Sequence, residues 1–162
     1  MRYTLHKFLN RLHHPDIYLI HADLWKWDNT KYNNINCGVQ EPNMVNIAAG
    51  LASQGKTVFV YGVCGYVLYK CYEQMKLNVR GFADVNGSVI FVNAGHNGAY
   101  AYQGKGHVVP EDADLCTLLH IPVYTPPDCS TFVKYVKDAI RQPRGTRLIR
   151  LGWDGEVWKK SQ

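Results

Sequence analysis

Apolar runs of the roughly 20 residues that span a bilayer as a helix occur nowhere in this 162-residue sequence, so no membrane-spanning segment is expected. The opening stretch, MRYTLHKFLNRL, lacks the basic head, apolar middle and small-residue cleavage site of an export signal. Disulfide chemistry is equally poorly provided for. The five cysteines, Cys37, Cys64, Cys71, Cys116 and Cys129, are odd in number, widely spaced and never arranged as CxxC. Neither a disulfide framework nor a zinc site is expected, and a reduced, cytoplasmic setting is the simple reading. Low-complexity tracts, internal repeats and interdomain linkers are also missing. With this length, that predicts a single domain over residues 1–162 with one core.

Acidic side chains are the minority charge: 13 Asp and Glu stand against 18 Lys and Arg, a formal net charge of +5. Much of the excess lies late, at Lys134, Lys137, Arg141, Arg144, Arg147, Arg150, Lys159 and Lys160. These positions scatter over a helix, a loop and a strand instead of forming one stripe. A solvated face, or one meeting an acidic partner, fits that pattern better than a polyanion-binding face, so neither nucleic acid nor membrane is expected as a partner.

What the chain has in quantity is apolar residues, 46% of the total, and their spacing alternates between two periods. Leu5, Phe8, Leu9 and Leu12 form an i, i+3, i+4, i+7 stripe that predicts a helix over 3–12. Strands are predicted at 16–22, 34–38, 56–62, 87–95, 121–126 and 145–151, from β-branched and aromatic runs bounded by Gly, Pro, Asn and Asp. Helices are predicted between them at 42–54, 66–79, from Pro110 to about Leu119, and after Asp128, which is placed to cap the helix carrying Phe132, Val133, Val136, Ala139 and Ile140. Six strands alternating with helices predict an α/β three-layer sandwich: a mostly parallel sheet with helices on both faces. In such sheets ligands bind beyond the carboxyl ends of the strands. That edge should gather Glu41, the segment 61–66, the Gly-rich loop 95–107 and Trp153.

One stretch at that edge stands out: NCGVQEPNMVNIAAGLASQGK (36–56). A single carboxylate, Glu41, precedes Pro42 and then an almost purely apolar helix with no further acid or base before Lys56. Taken alone, Glu41 reads as a helix cap accepting amide hydrogens.

The longer segment GVQEPNMVNIAAGLASQGKTVFVYG (38–62) resembles the G-x-x-E-x-x-M region of the transketolase family, in the pyrimidine-binding domain that holds the aminopyrimidine ring of thiamine diphosphate. The resemblance continues in order through HADL (21–24), YEQMKLNV (72–79), GKGHVVPEDADL (104–115) and RLG (150–152). It implies that Glu41 hydrogen-bonds the ring nitrogen N1′. This favours the imino tautomer, whose 4′-nitrogen removes the thiazolium C2 proton, so that one placed side chain tunes the cofactor's chemistry.

By the same resemblance, an aromatic-x-x-aromatic-x-x-Tyr pattern that packs on the ring falls on Val63, Tyr66 and Tyr69. Val63 departs from it, because an aliphatic side chain packs on a ring but does not stack as an aromatic does. His107, in GKGH, matches a substrate-facing histidine that moves protons or binds hydroxyls. Gln103 stands where the family carries an acid contacting a substrate hydroxyl, and His96 matches no motif. Asp23, in HADL, corresponds to a residue near the cofactor and the subunit interface; its plain reading is a strand-end turn. Trp27 lies near a family serine, and Trp153 stands where R-L-G-R carries its second arginine. Both family residues are anchors for a sugar phosphate, and Arg2, a substrate-binding candidate, matches an arginine at the start of the family's first helix. With two anchors replaced by tryptophan, the donor or acceptor is expected to differ from an ordinary short sugar phosphate; a larger or nucleotide-linked sugar, stacked on Trp27 or Trp153, is one alternative.

The family's diphosphate-gripping G-D-G…N pattern, which holds a divalent metal, Mg²⁺ or Ca²⁺, is not in this sequence. The resemblance therefore implies one subunit of a split transketolase, a heterotetramer completed by a separate diphosphate-binding chain. The alternative is a non-catalytic interaction or regulatory module derived from the same domain.

Overall fold

The computed structural model describes residues 1–25, 30–96, 98, 100–142 and 144–151. Its strands are β1 (Ile17–His21), β2 (Asn33–Asn36), β3 (Thr57–Val63), β4 (Ser88–Ala94), β5 (Val123–Tyr124) and β6 (Gly145–Leu151). They form one six-stranded sheet in the order β2-β1-β3-β4-β6-β5, and every pairing among the described residues is parallel. The predicted α/β sandwich is what the chain forms. Val58, Val60 and Phe91 point to one face, and Phe59, Tyr61 and Ile90 to the other. This alternation explains why the central strands read as unbroken apolar runs: both sides are buried.

Helices α1 (Arg2–Leu12) and α7 (Cys129–Arg141) cover one face, packing Leu5, Leu9, Phe132 and Val136 against Phe59, Ile90 and Ile149. Asp128 caps α7 as expected: its Oδ1 accepts the Thr131 amide hydrogen at 2.7 Å. The other face carries α2 (Glu41–Ser53), the helical run that follows β3, and α6 (Asp112–Leu118).

That run differs from the single helix expected over 66–79. It starts directly from the last residue of β3 and passes through α3 (Cys64–Lys70), α4 (Tyr72–Gln74), a π turn (Met75–Val79), α5 (Arg80–Phe82) and a 3₁₀ turn (Ala83–Val85). Cys71, Met75, Val79 and Ala83 are all fully buried. Steps of four residues outrun a helix of 3.6 residues per turn, and the wider π turn absorbs the drift, keeping the buried stripe on the sheet.

Two features aim the chain at the carboxyl edge. β1 pairs with β2 on one side and β3 on the other, so α2 crosses over at a point where the strand order reverses, the position at which open α/β sheets bind ligands. At the end of β1, the buried His21 accepts at Nδ1 from the amides of Leu24 and Trp25, both at 3.2 Å. Burial lowers the His21 pKa, which suits the neutral acceptor.

Farther along the edge, Arg150 at the end of β6 grips Asp112 at the start of α6, Nε to Oδ2 at 2.8 Å and Nη2 to Oδ1 at 2.5 Å. Asp112 is buried and the Arg150 side chain largely so. Removing one member of such a pair leaves a charge without its partner. Asp112→Ala is expected to lower the unfolding free energy by about 3 kcal/mol in urea titration. Leu118→Ala on the exposed side of the same helix should stay within about 0.5 kcal/mol of wild type.

Candidate functional site

Glu41 is the first residue of α2 but not its cap: Gln40 holds the cap position and makes no side-chain capping bond. Its residue exposure is only 5%. A carboxylate this deep costs free energy unless it is paired, and here it meets a cation. Lys70 Nζ, at the end of α3, lies 3.5 Å from Glu41 Oε2. The same ammonium sits 4.4 Å from the centroid of the Tyr66 ring, within cation–π range. The positive end of the α2 dipole also faces the carboxylate. The cap reading of Glu41 is thereby replaced by a buried anion aimed at a cation that stands on an aromatic face.

Tyr66 connects this pair to the Gly-rich loop. Its hydroxyl lies 2.8 Å from His107 Nε2, and the two rings meet edge to face with centroids 4.9 Å apart. The loop reaches α3 because Gly65 has no side chain: a Cβ there would come within 2.9 Å of the Gly106 carbonyl oxygen and 3.0 Å of Val109 Cγ2. Glu41, Lys70, Tyr66 and His107 thus form one chain of contacts spanning α2, α3 and the 105–107 turn. Tyr69, one turn beyond Tyr66 and half-exposed, donates its hydroxyl hydrogen to Glu111; that bond pushes its pKa up to about 12. Val63 ends β3 and is buried at 9% exposure.

The other expected residues lie around this centre without joining it. Asp23 adopts a left-handed backbone, φ 56°. Its amide donates to Asn36 Oδ1 at 3.0 Å and its Oδ1 accepts from Asn36 Nδ2 at 3.1 Å. In this structure it ties the ends of β1 and β2 together, the turn role that its position allowed. Arg2 is on the α1 face of the sheet and donates to the Tyr61 hydroxyl at 3.3 Å. Gln103 is exposed in a short 3₁₀ turn and reaches the Tyr102 hydroxyl at 3.3 Å. His96 carries a buried Nδ1 that has no hydrogen-bond partner among the described residues, and burial lowers its pKa. Trp27 and Trp153 lie outside the described residues.

Sequence reasoning missed Lys70 and Glu111. Neither belongs to a motif; Lys70 lies four residues after Tyr66, and that helical spacing was the only available signal. The Tyr66–His107 bond was also unforeseen, being set by the bare backbone at Gly65. Gly65→Ala is expected to push the 105–107 turn away and break that bond, removing the nuclear Overhauser contacts between the Tyr66 and His107 rings in NMR. Gly50→Ala, where an added Cβ meets nothing within 4 Å, should leave those ring contacts as in wild type.

Among known proteins, no family model matches the chain. Over 119 residues it is 31% identical to an apulose-4-phosphate transketolase subunit of Phocaeicola vulgatus, an alignment covering 73% of this chain and 37% of that protein. It is 27% identical over 116 residues to a protein of Methanocaldococcus jannaschii described as a transketolase C-terminal section, covering 72% of this chain and 36% of that one. The chain therefore spans little more than a third of the length of these relatives. Among solved structures, a split-gene transketolase, described as an inactive β4 tetramer, superposes with a TM-score of 0.74 at 26% identity, over 93% of this chain and 50% of that one. The transketolase of Campylobacter jejuni superposes with a TM-score of 0.73 over 91% of this chain and 25% of that one; at 17% identity this likeness speaks for the fold alone. The chain belongs to the transketolase family, and its relatives there are the C-terminal-type subunits of split members.

Proposed function

We propose that this chain is the pyrimidine-side subunit of a two-chain, thiamine-diphosphate-dependent transketolase, which moves a two-carbon ketol unit from a ketose to an aldose. The observation that carries the reading is the buried Glu41 carboxylate, which is not the helix cap and faces a cation lying against the Tyr66 ring. A protonated ring nitrogen with an aromatic neighbour has the same requirements, so these residues fit an aminopyrimidine. When bound, the cofactor supplies a nucleophilic thiazolium carbon and the electron sink for breaking and remaking a carbon–carbon bond.

The chain's own residues do the rest. Glu41 would hold the bound cofactor's ring nitrogen N1′ by a shared proton. Tyr66, Val63 and Tyr69 pack the ring, with Asp23 at its border. His107, oriented by the Tyr66 hydroxyl, faces substrate hydroxyls and passes protons to or from them. Gln103, Arg2, Trp27 and Trp153 form the outer substrate contacts, and the tryptophans stack on a sugar that is larger than a short sugar phosphate or is nucleotide-linked.

The diphosphate and its Mg²⁺ or Ca²⁺ are assigned to a partner chain carrying G-D-G…N, because this sequence has none. Val39, Tyr69 and Tyr102 are exposed apolar side chains beside the site, at 68%, 49% and 76%, and support a partner face there. The solved relative described as an inactive β4 tetramer supports inactivity of this chain alone. The proposed active assembly is a cytoplasmic heterotetramer. No helix among the described residues is long and apolar enough to cross a membrane.

Co-expression with a G-D-G…N chain tests the reading. Glu41→Ala and Glu41→Gln are each expected to lower turnover of the reconstituted complex by about 100-fold or more. Turnover equal to wild type would reject the role of Glu41. The Phocaeicola relative is named for a sugar phosphate, so the substrate panel should set sugar phosphates beside nucleotide-linked and free sugars. Robust activity on ordinary pentose phosphates would reject the tryptophan-stacked substrate.

A further inference from the structure

Lys70 has no part in the chemistry described above, yet its ammonium occupies the centre of the site. It meets Glu41 Oε2 at 3.5 Å and the Tyr66 ring at 4.4 Å. Those are the two interactions that the proposed function gives to the cofactor's ring: a positively polarised N–H on the carboxylate, and a π face against Tyr66. One ammonium makes both.

The arrangement solves a problem of the cofactor-free chain. A carboxylate at 5% exposure without a partner destabilises the fold. Lys70 supplies that partner without being locked in place, since its side chain is 50% exposed. It stands four residues after Tyr66 in α3, the spacing that brings two side chains together on one helix face. Its flexible four-carbon stem lets the charge swing into water without any change in the backbone.

We propose that Lys70 is a resident cation standing in for the pyrimidine ring, so that cofactor binding is an exchange at Glu41 in which Lys70 leaves for solvent. This inference rests on the functional reading above and adds a residue that sets cofactor affinity and selectivity. The site is not a preformed void. It discriminates in favour of rings that can present a proton to Glu41, because only these replace what the carboxylate loses when the ammonium departs. A half-exposed ion pair and one cation–π contact are each modest, so the barrier is a tunable one.

The experiment uses the full chain reconstituted with its diphosphate-binding partner. Amine-reactive labelling of Lys70, read by mass spectrometry, is expected to speed up several-fold on addition of thiamine diphosphate. It should stay unchanged with an analogue in which N1′ is replaced by carbon. In the cofactor-free chain, Glu41→Gln should speed the same labelling. Calorimetry is expected to show Lys70→Met binding thiamine diphosphate about three- to tenfold more tightly than wild type, with Lys70→Arg close to wild type. In the Glu41→Gln background the Lys70→Met effect should vanish. Tight cofactor binding with Lys70 labelling unchanged, or weaker binding by Lys70→Met, would overturn the exchange while leaving the functional reading intact. Absence of cofactor binding by wild type and Lys70→Met alike would overturn both.

Discussion

A buried carboxylate at the start of a buried helix is the constraint from which the rest of this site follows. α2 is apolar along its length because it lies across the sheet, packing Met44, Val45, Ala48 and Ala52 at full burial. Placing Glu41 at its first turn gives the charge one favourable neighbour, the helix dipole, and denies it water. Such a group demands a cationic or proton-donating partner, and Lys70 meets that demand. Lys70 and Tyr66 come from one short helix, which begins at Cys64, directly after the last residue of β3. The direct junction, without an intervening loop, sets the aromatic face rigidly with respect to the carboxylate.

The same economy extends to His107, the residue proposed to face substrate. His107 sits on a Gly-rich loop, a poor platform for a residue that must be oriented. Two contacts remedy this: the bare Gly65 backbone lets the turn approach α3, and the Tyr66 hydroxyl holds the imidazole. Past the loop, the Arg150–Asp112 clamp ties β6 to the start of α6. Tyr66 thus serves both halves of the proposed chemistry, one through its ring and the other through its hydroxyl. Changes at this residue should couple cofactor affinity to substrate handling instead of altering either alone.

Most of the architecture was legible in the sequence because burial on both sheet faces leaves a strong signature. Runs such as KTVFVYG and GSVIFVNAG have few other uses, and each strand was found within a few residues of its place. The helical run after β3 was less legible. Its four-residue stripe of Cys71, Met75, Val79 and Ala83 requires a π turn, and a period of 3.6 does not anticipate one. At the site, Glu41 was conspicuous as an isolated charge, whereas only the backbone shows that Gln40, not Glu41, holds the cap position. Lys70 and Glu111 were unremarkable charges in sequence; only the packing of α3 against α2 and α6 makes them neighbours of Glu41 and Tyr69. Asp23 shows the opposite limit: a motif position whose observed contacts, to Asn36, are those of a turn.

The most direct measurement is a crystal structure of the chain with its diphosphate-binding partner and thiamine diphosphate. The account predicts a carboxylate oxygen of Glu41 within about 2.6–3.0 Å of the pyrimidine nitrogen N1′, with the ring beside Tyr66. A ring seated elsewhere, or N1′ bonded to another group while Glu41 keeps its ion pair with Lys70, would contradict it.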